Sequence, residues 1–190
     1  MNWLAHLHIA SVVDADRTGS LLPDIVNPSN LALFTPAQQH AIKLHQAIDH
    51  FTDRHPVVQR SKTYISPPYT RFAGVLVDIF YDYCLSYHWH NYTQQPLDAF
   101  IRDIHNELKR QIPELPSSGQ NVVQRMIEQQ WLNTYSTHEG IQQSLGRIAQ
   151  RMKRPVELAA AVELLQQHET AFMLDFQEFY PALLRHIREQ

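Results

Sequence analysis

Two residue pairs at helical spacing carry the strongest chemical signal in the chain. In the segment from Ile42 to Asp53, His45 and Asp49 stand four residues apart, with Asp53 one turn further on. On a helix these side chains stack along one face, where an imidazole and a carboxylate can share one divalent cation. Asp78 and Asp82 repeat the four-residue spacing inside the strongly apolar run from Gly74 to Leu85. A carboxylate among such neighbours is costly unless it is paired or coordinated. Two further segments present a polar group from apolar surroundings. His6 and His8 lie among Trp3, Leu4, Leu7 and Ile9, and Asp24 follows Pro23 between two apolar runs. Two residues apart, the histidines point to different faces, and His6 is taken as the one that reaches a common site.

Each signal has an ordinary structural explanation taken alone: a solvated helix face, a buried aspartate bonded to Arg, Tyr or the backbone, a core histidine, a turn cap. Together they are four separate segments within ninety residues, and one shared metal accounts for all of them. Asp24, His45, Asp49 and Asp78 are the expected ligands, with His6 as the most natural addition; Asp53 and Asp82 are expected to orient them or to hold a second ion. Nitrogen and oxygen donors without thiolate favour Mn²⁺, Mg²⁺, Fe²⁺ or Zn²⁺, and the carboxylate excess leans towards Mn²⁺ or Mg²⁺.

The elements that position these residues read as helices throughout. Thr35, Pro36 and Gln38 form a capping-box start for a helix running to about Arg54, where Pro56 stops it. Apolar periodicity predicts a second helix over roughly Arg71 to His88 and a third from Pro96 to just before Pro113. Pro113 to Gly119 reads as a loop. Shorter helices are expected over Val122–Tyr135 and Ile141–Met152. Pro155 opens a long helix through Phe179, and Pro181 starts or kinks the last segment. Strand alternation and repeats are missing, so the expectation is an all-α, single-domain bundle over 1–190.

Composition bounds the function classes. The 190 residues carry 44% hydrophobic and 18% charged side chains, ordinary for a folded domain. A net charge of −3 argues against a nucleic-acid binder. The lone cysteine, Cys84, excludes an internal disulfide and a Cys-rich zinc site. No signal peptide or membrane span is read, so a cytoplasmic protein is expected. Nine of the twelve histidines fall at or before His105, which points to the N-terminal half for a site.

Taken in order, the motifs resemble those of the acyl carrier protein phosphodiesterases. The matching segments are Asn2-x-Leu4-Ala5-His6-Leu7, Gly19-x-Leu21-Leu22-x-Asp24, His45-x-x-Ile48-Asp49-x-x-Thr52-Asp53 and Asp78-x-x-x-Asp82-x-x-Leu85-Ser86-x-His88-Trp89, with Gln130-Trp131-Leu132 and Phe179-Tyr180-Pro181 further on. The resemblance implies a helical phosphohydrolase related to the HD-domain enzymes, dependent on Mn²⁺. Its implied reaction converts holo acyl carrier protein to the apo form and free 4'-phosphopantetheine. The chain has no His-Asp dipeptide, only the reverse Asp49-His50, so the ligand choice rests on the residue argument above. For that reaction His50 or His88 is expected to protonate the serine leaving group.

A small acidic carrier protein calls for basic docking residues, and Lys43, Arg54, Arg60, Lys62 and Arg71 flank the site in sequence. Arg147, Arg151, Lys153 and Arg154 form a denser cluster further on. The competing readings are a hydrolase of nucleotides or other small phosphodiesters, and a helical module that binds an acidic protein without catalysis. A di-iron oxygenase is disfavoured, since none of the nine Glu residues has a His three positions on.

Overall fold

The first helix, α1 (Trp3–Val12), has every residue from Trp3 to Ala10 buried, including His6 and His8. A helix apolar on all sides belongs inside a bundle rather than at its surface. The computed structural model describes residues 1–27, 29, 34–152 and 156–189, and among these there is no strand. A short 3-10 turn (Gly19–Leu21) leads into the single turn α2 (Leu22–Ile25), with Pro23 at its start.

Helix α3 (Pro36–Arg54) begins and ends where its local signals put it. The Thr35 hydroxyl accepts from the Gln38 amide, and the Gln38 side chain accepts from the Thr35 amide in return. At its other end Pro56 both stops α3 and opens a further helix, α4 (Pro56–Lys62), whose first turn is capped by His55 Nδ1 accepting from Val57 N. Helix α5 (Ala73–Tyr87) runs against α1. Asp82 on α5 is fully buried and accepts from the Leu4 and Ala5 amides at 2.8 and 3.1 Å. It thereby satisfies two of the unpaired N–H groups at the start of α1.

Helix α6 (Leu97–Gln111) lies within one residue of its expected bounds. The loop expected over Pro113 to Gly119 is instead a 3-10 turn (Ile112–Glu114) followed at once by α7 (Ser117–Glu128). Pro116 and Ser117 favour a helix start as much as a loop, and here they make one. The expected helix over Val122–Tyr135 is broken at Gln130, which adopts a left-handed φ of 53° and hands the chain to a 3-10 segment (Trp131–Ser136). Helix α8 (His138–Ala149) starts before its expected first residue, Ile141. It rests directly on that 3-10 segment: a Cβ on Gly140 would lie 1.8 Å from the Thr134 carbonyl oxygen.

The last helix, α9 (Val162–Arg188), follows a 3-10 turn (Leu158–Ala161). Pro181 lies inside it without ending it, and the backbone departs from helical geometry at His168 instead. Lys153, Arg154 and Pro155, expected to carry a basic cluster and a helix start, lie outside the described residues. Phe172, Phe176, Phe179 and Tyr180 along α9 are fully buried and complete one core with α1 and α5. A buried network fastens α4 to α9: Asp175 accepts from Arg60 Nε at 2.7 Å and from the Ser61 hydroxyl at 2.6 Å.

Candidate metal centre and active site

The start of α1, α2, the middle of α3 and the first turns of α5 meet around one cavity of about 280 Å³. Met1, Trp3, Asp24, Asp49, Asp78 and Arg151 are among the residues that line it. His45 is the most firmly held group beside it. Its Nδ1 lies 2.8 Å from the Ser20 carbonyl oxygen, which can only accept, so the ring proton sits there and Nε2 presents its lone pair. That lone pair faces two carboxylates, Asp49 Oδ2 at 3.1 Å and Asp24 Oδ1 at 3.9 Å. Three acceptors aimed at one another repel unless a proton or a cation comes between them. A histidine anchored through one nitrogen with the other free is the arrangement of a metal-binding imidazole.

His6 joins from α1. Its ring stacks on His45, and its Nε2 lies 3.2 Å from Asp49 Oδ1 and 3.2 Å from the Met1 carbonyl. One ligand atom from each of His6, His45 and Asp49 falls within 4.8 Å of the others, a geometry that a single ion can satisfy. His45 is the better-built donor of the two. If His6 offers its Nε2 lone pair, its proton moves to Nδ1, which is buried without a partner among the described residues.

The surrounding charges complete the picture. The buried Met1 amino group donates to Asp78 Oδ1 at 2.9 Å and lies 3.4 Å from Asp49 Oδ1, so a positive charge bridges these carboxylates. Burial works against that charge, but Asp78 and Asp49 outweigh it and raise its pKa to about 10. Trp3 Nε1–H donates to Asp24 Oδ2 at 3.0 Å and fixes that carboxylate's direction. Burial pushes the Asp24 carboxyl up, with His45 opposing. For Asp49 burial also pushes upward, yet with a proton on His45 Nε2 in place of a cation, hydrogen bonds from His45 and His6 win and hold it well below the usual carboxylate range. Burial lowers His6 to about 4, so it is neutral near pH 7. His45 feels the same burial, overcome by Asp49 and Asp24, and is raised. The donor set of carboxylates and imidazoles fits a divalent cation of the Mn²⁺, Mg²⁺ or Fe²⁺ type.

Four residues expected in the site lie elsewhere. Both Asp82 oxygens are taken by the α1 amides, so it serves the helix start rather than the cavity. Asp53 is exposed and pairs with Lys62 Nζ at 3.2 Å. His50 is exposed on α3, about 100° round the helix from Asp49. His88, beyond the far end of α5, has its Nε2 3.0 Å from Gln177 Nε2. Among the expected docking residues, Arg60 is committed to Asp175 and Glu178, Lys62 to Asp53, and Arg71 lies over the Phe72 ring. Lys43 and Arg54 are exposed on α3.

Arg151 is expected from sequence only as part of a distant basic cluster, and its place in the cavity lining comes from the fold, with no local signal. The same holds for the Ser20 carbonyl, whose role depends on backbone position rather than residue type. A second, narrower space of about 50 Å³ adjoins the cavity and shares Asn2, Trp3, Ile79, Ile148 and Arg151 with it.

A family model described as acyl carrier protein phosphodiesterase matches residues 1–183. A curated acyl carrier protein phosphodiesterase of an Enterobacter species is 31% identical over 97% of this chain and 96% of its own. Those of Salmonella agona and Pectobacterium atrosepticum are 30% identical over 97% and 96%, and 27% identical over 100% and 99%. No solved structure matches the chain. No helix among the described residues is long and apolar enough to cross a membrane.

Proposed function

Since the chain belongs to the acyl carrier protein phosphodiesterase family, we propose that it hydrolyses the phosphodiester joining the pantetheine arm to a serine of holo acyl carrier protein, releasing apo carrier protein and 4'-phosphopantetheine. The observation that carries this reading is the meeting of His45, Asp49, Asp24 and Asp78, from three separated stretches, around one cavity. His45 and Asp49 would hold the divalent cation, joined by Asp24, Asp78 and His6, with Mn²⁺ the first candidate. When bound, such an ion acidifies water and offsets charge on phosphoryl oxygens.

The chain's own residues do the rest. Ser20 and Trp3 hold His45 and Asp24 in direction, so the donors need not reorganise as charge develops. Asp49, kept ionised by the two imidazoles, carries negative charge without taking up the proton that the reaction releases. The acidic carrier protein would dock through exposed cations; Lys43 and Arg54 on α3 remain exposed for this, while Arg60 and Lys62 are paired internally. A cytoplasmic enzyme acting in fatty acid biosynthesis follows from the substrate.

Incubation with holo carrier protein and Mn²⁺, with and without chelator, tests the reading. The carrier protein should lose the mass of phosphopantetheine only when the metal is available. An unchanged mass in both conditions would remove the assignment.

A further inference from the structure

The narrow space beside the cavity has an unusual wall. Trp131 stacks on Trp3 with centroids 5.6 Å apart, and the guanidiniums of Arg147 and Arg151 lie 5.1 and 5.6 Å from its ring centre. Ile79 and Ile148 supply apolar walls, and both also border the carboxylate cavity. Arg147 donates to Thr134 Oγ1 and Ser144 Oγ, hydroxyls rather than carboxylates. Burial lowers its pKa, and the neighbouring Arg151 charge adds to the effect. Two cations side by side, with no ion pair to a carboxylate among the described residues, are arranged for a ligand that brings negative charge at one end.

Resting on the function proposed above, we propose that this slot takes the pantetheine arm and that Arg151, on the rim shared by both spaces, grips a phosphoryl oxygen. The arm's chemistry follows the lining in order, phosphate beside the cations and chain along the apolar walls. The pantoyl unit with its geminal methyls adjoins the phosphate, where the cavity is about 280 Å³. The amide chain beyond it would run along Ile79 and Ile148 towards Trp131. A nucleobase is a poor occupant, because the Trp131 ring already packs against Trp3 and two guanidiniums, leaving little face for stacking. The slot therefore separates a carrier-protein substrate from a nucleotide by stacking already used up.

The test reads tryptophan emission of the full chain in chelator, so it needs no turnover. Wild-type protein titrated with free pantetheine and with 4'-phosphopantetheine should give saturable changes for both, the phosphorylated compound binding about tenfold more tightly through Arg151. R151Q, a substitution of an exposed residue, should remove that advantage, so that the two compounds bind alike, while I148W should weaken both. Emission indifferent to pantetheine, or I148W binding both compounds as wild type does, would overturn the slot. The two proposals fail separately. Hydrolysis of holo carrier protein without pantetheine binding sinks the slot alone. Pantetheine binding without hydrolysis leaves the slot standing and sinks the enzymatic reading.

Discussion

The imidazoles of His6 and His45 lie face to face, 3.8 Å between centroids and 11° from parallel, with one oxygen of Asp49 to each. Two rings from helices far apart in sequence are clamped on one carboxylate. D49A should therefore abolish both metal retention and turnover while far-UV circular dichroism stays helical. Full turnover in D49A would mean the carboxylate is only a structural tie. W3F is milder: it removes the N–H that aims Asp24, and metal affinity should fall about 10–100-fold, as for other groups that orient ligands.

Protons should compete with the metal at His45. Ligation needs the free Nε2 lone pair, and Asp49 and Asp24, outweighing burial, raise this imidazole above its ordinary 6.5. A raised value extends the protonated, non-binding form upward in pH, so affinity should fall as pH drops through it and level off above it. Calorimetric Mn²⁺ titrations at several pH values read this directly, and a pH-independent affinity would contradict it.

Asp82 should matter for folding rather than chemistry. D82A leaves two buried amides without an acceptor, at a cost of about 1–3 kcal/mol for each unpaired group. Burial raises the Asp82 carboxyl to about 7, despite the opposing amides. A carboxyl held above its unfolded value of about 3.9 contributes its full stability below that value and loses it as pH rises through the folded one. The stability gap between wild type and D82A should thus be wider near pH 5 than near pH 8. Urea melts at both values settle the sign.

H50A, H88A and D53A should each retain turnover within a few-fold of wild type, since none of these side chains lines the cavity. A loss of a hundredfold in any of them would restore that residue to the reaction. R60A separates stability from docking. It should lower the melting temperature by freeing Asp175 of its partner, yet leave the KM for carrier protein unchanged, whereas K43E and R54E should raise KM.

How much of this could be read from the residues depends on the range of the interaction responsible. Helix α3 was legible to its last residue because its cap and its stop are local: Thr35, Gln38 and Pro56 act within a turn of where they stand. Helix α1 gave no period, because a helix buried on every side has no polar face to alternate with. The Pro113 to Gly119 stretch misled because Pro and Ser serve loops and helix starts alike. At the site, spacing alone grouped His45 with Asp49 but also grouped Asp78 with Asp82. What divides that second pair is the position of the α1 amides, which lie almost eighty residues away in sequence. Arg60 looked like a docking cation for the same reason, its partner Asp175 being 115 positions downstream.

Gly140 gives the chain an adjustable part that no ligand need touch. The Thr134 carbonyl already fills the place of a methyl group there, so even alanine would lever the first turn of α8 outward. Ile148 rides at the other end of the same rod and Arg151 follows just past it, so a tilt at one tip becomes a wider or narrower jaw at the other. Variation in what the enzyme admits could therefore arise from a position that is neither acidic, basic nor in sight of the reacting bond.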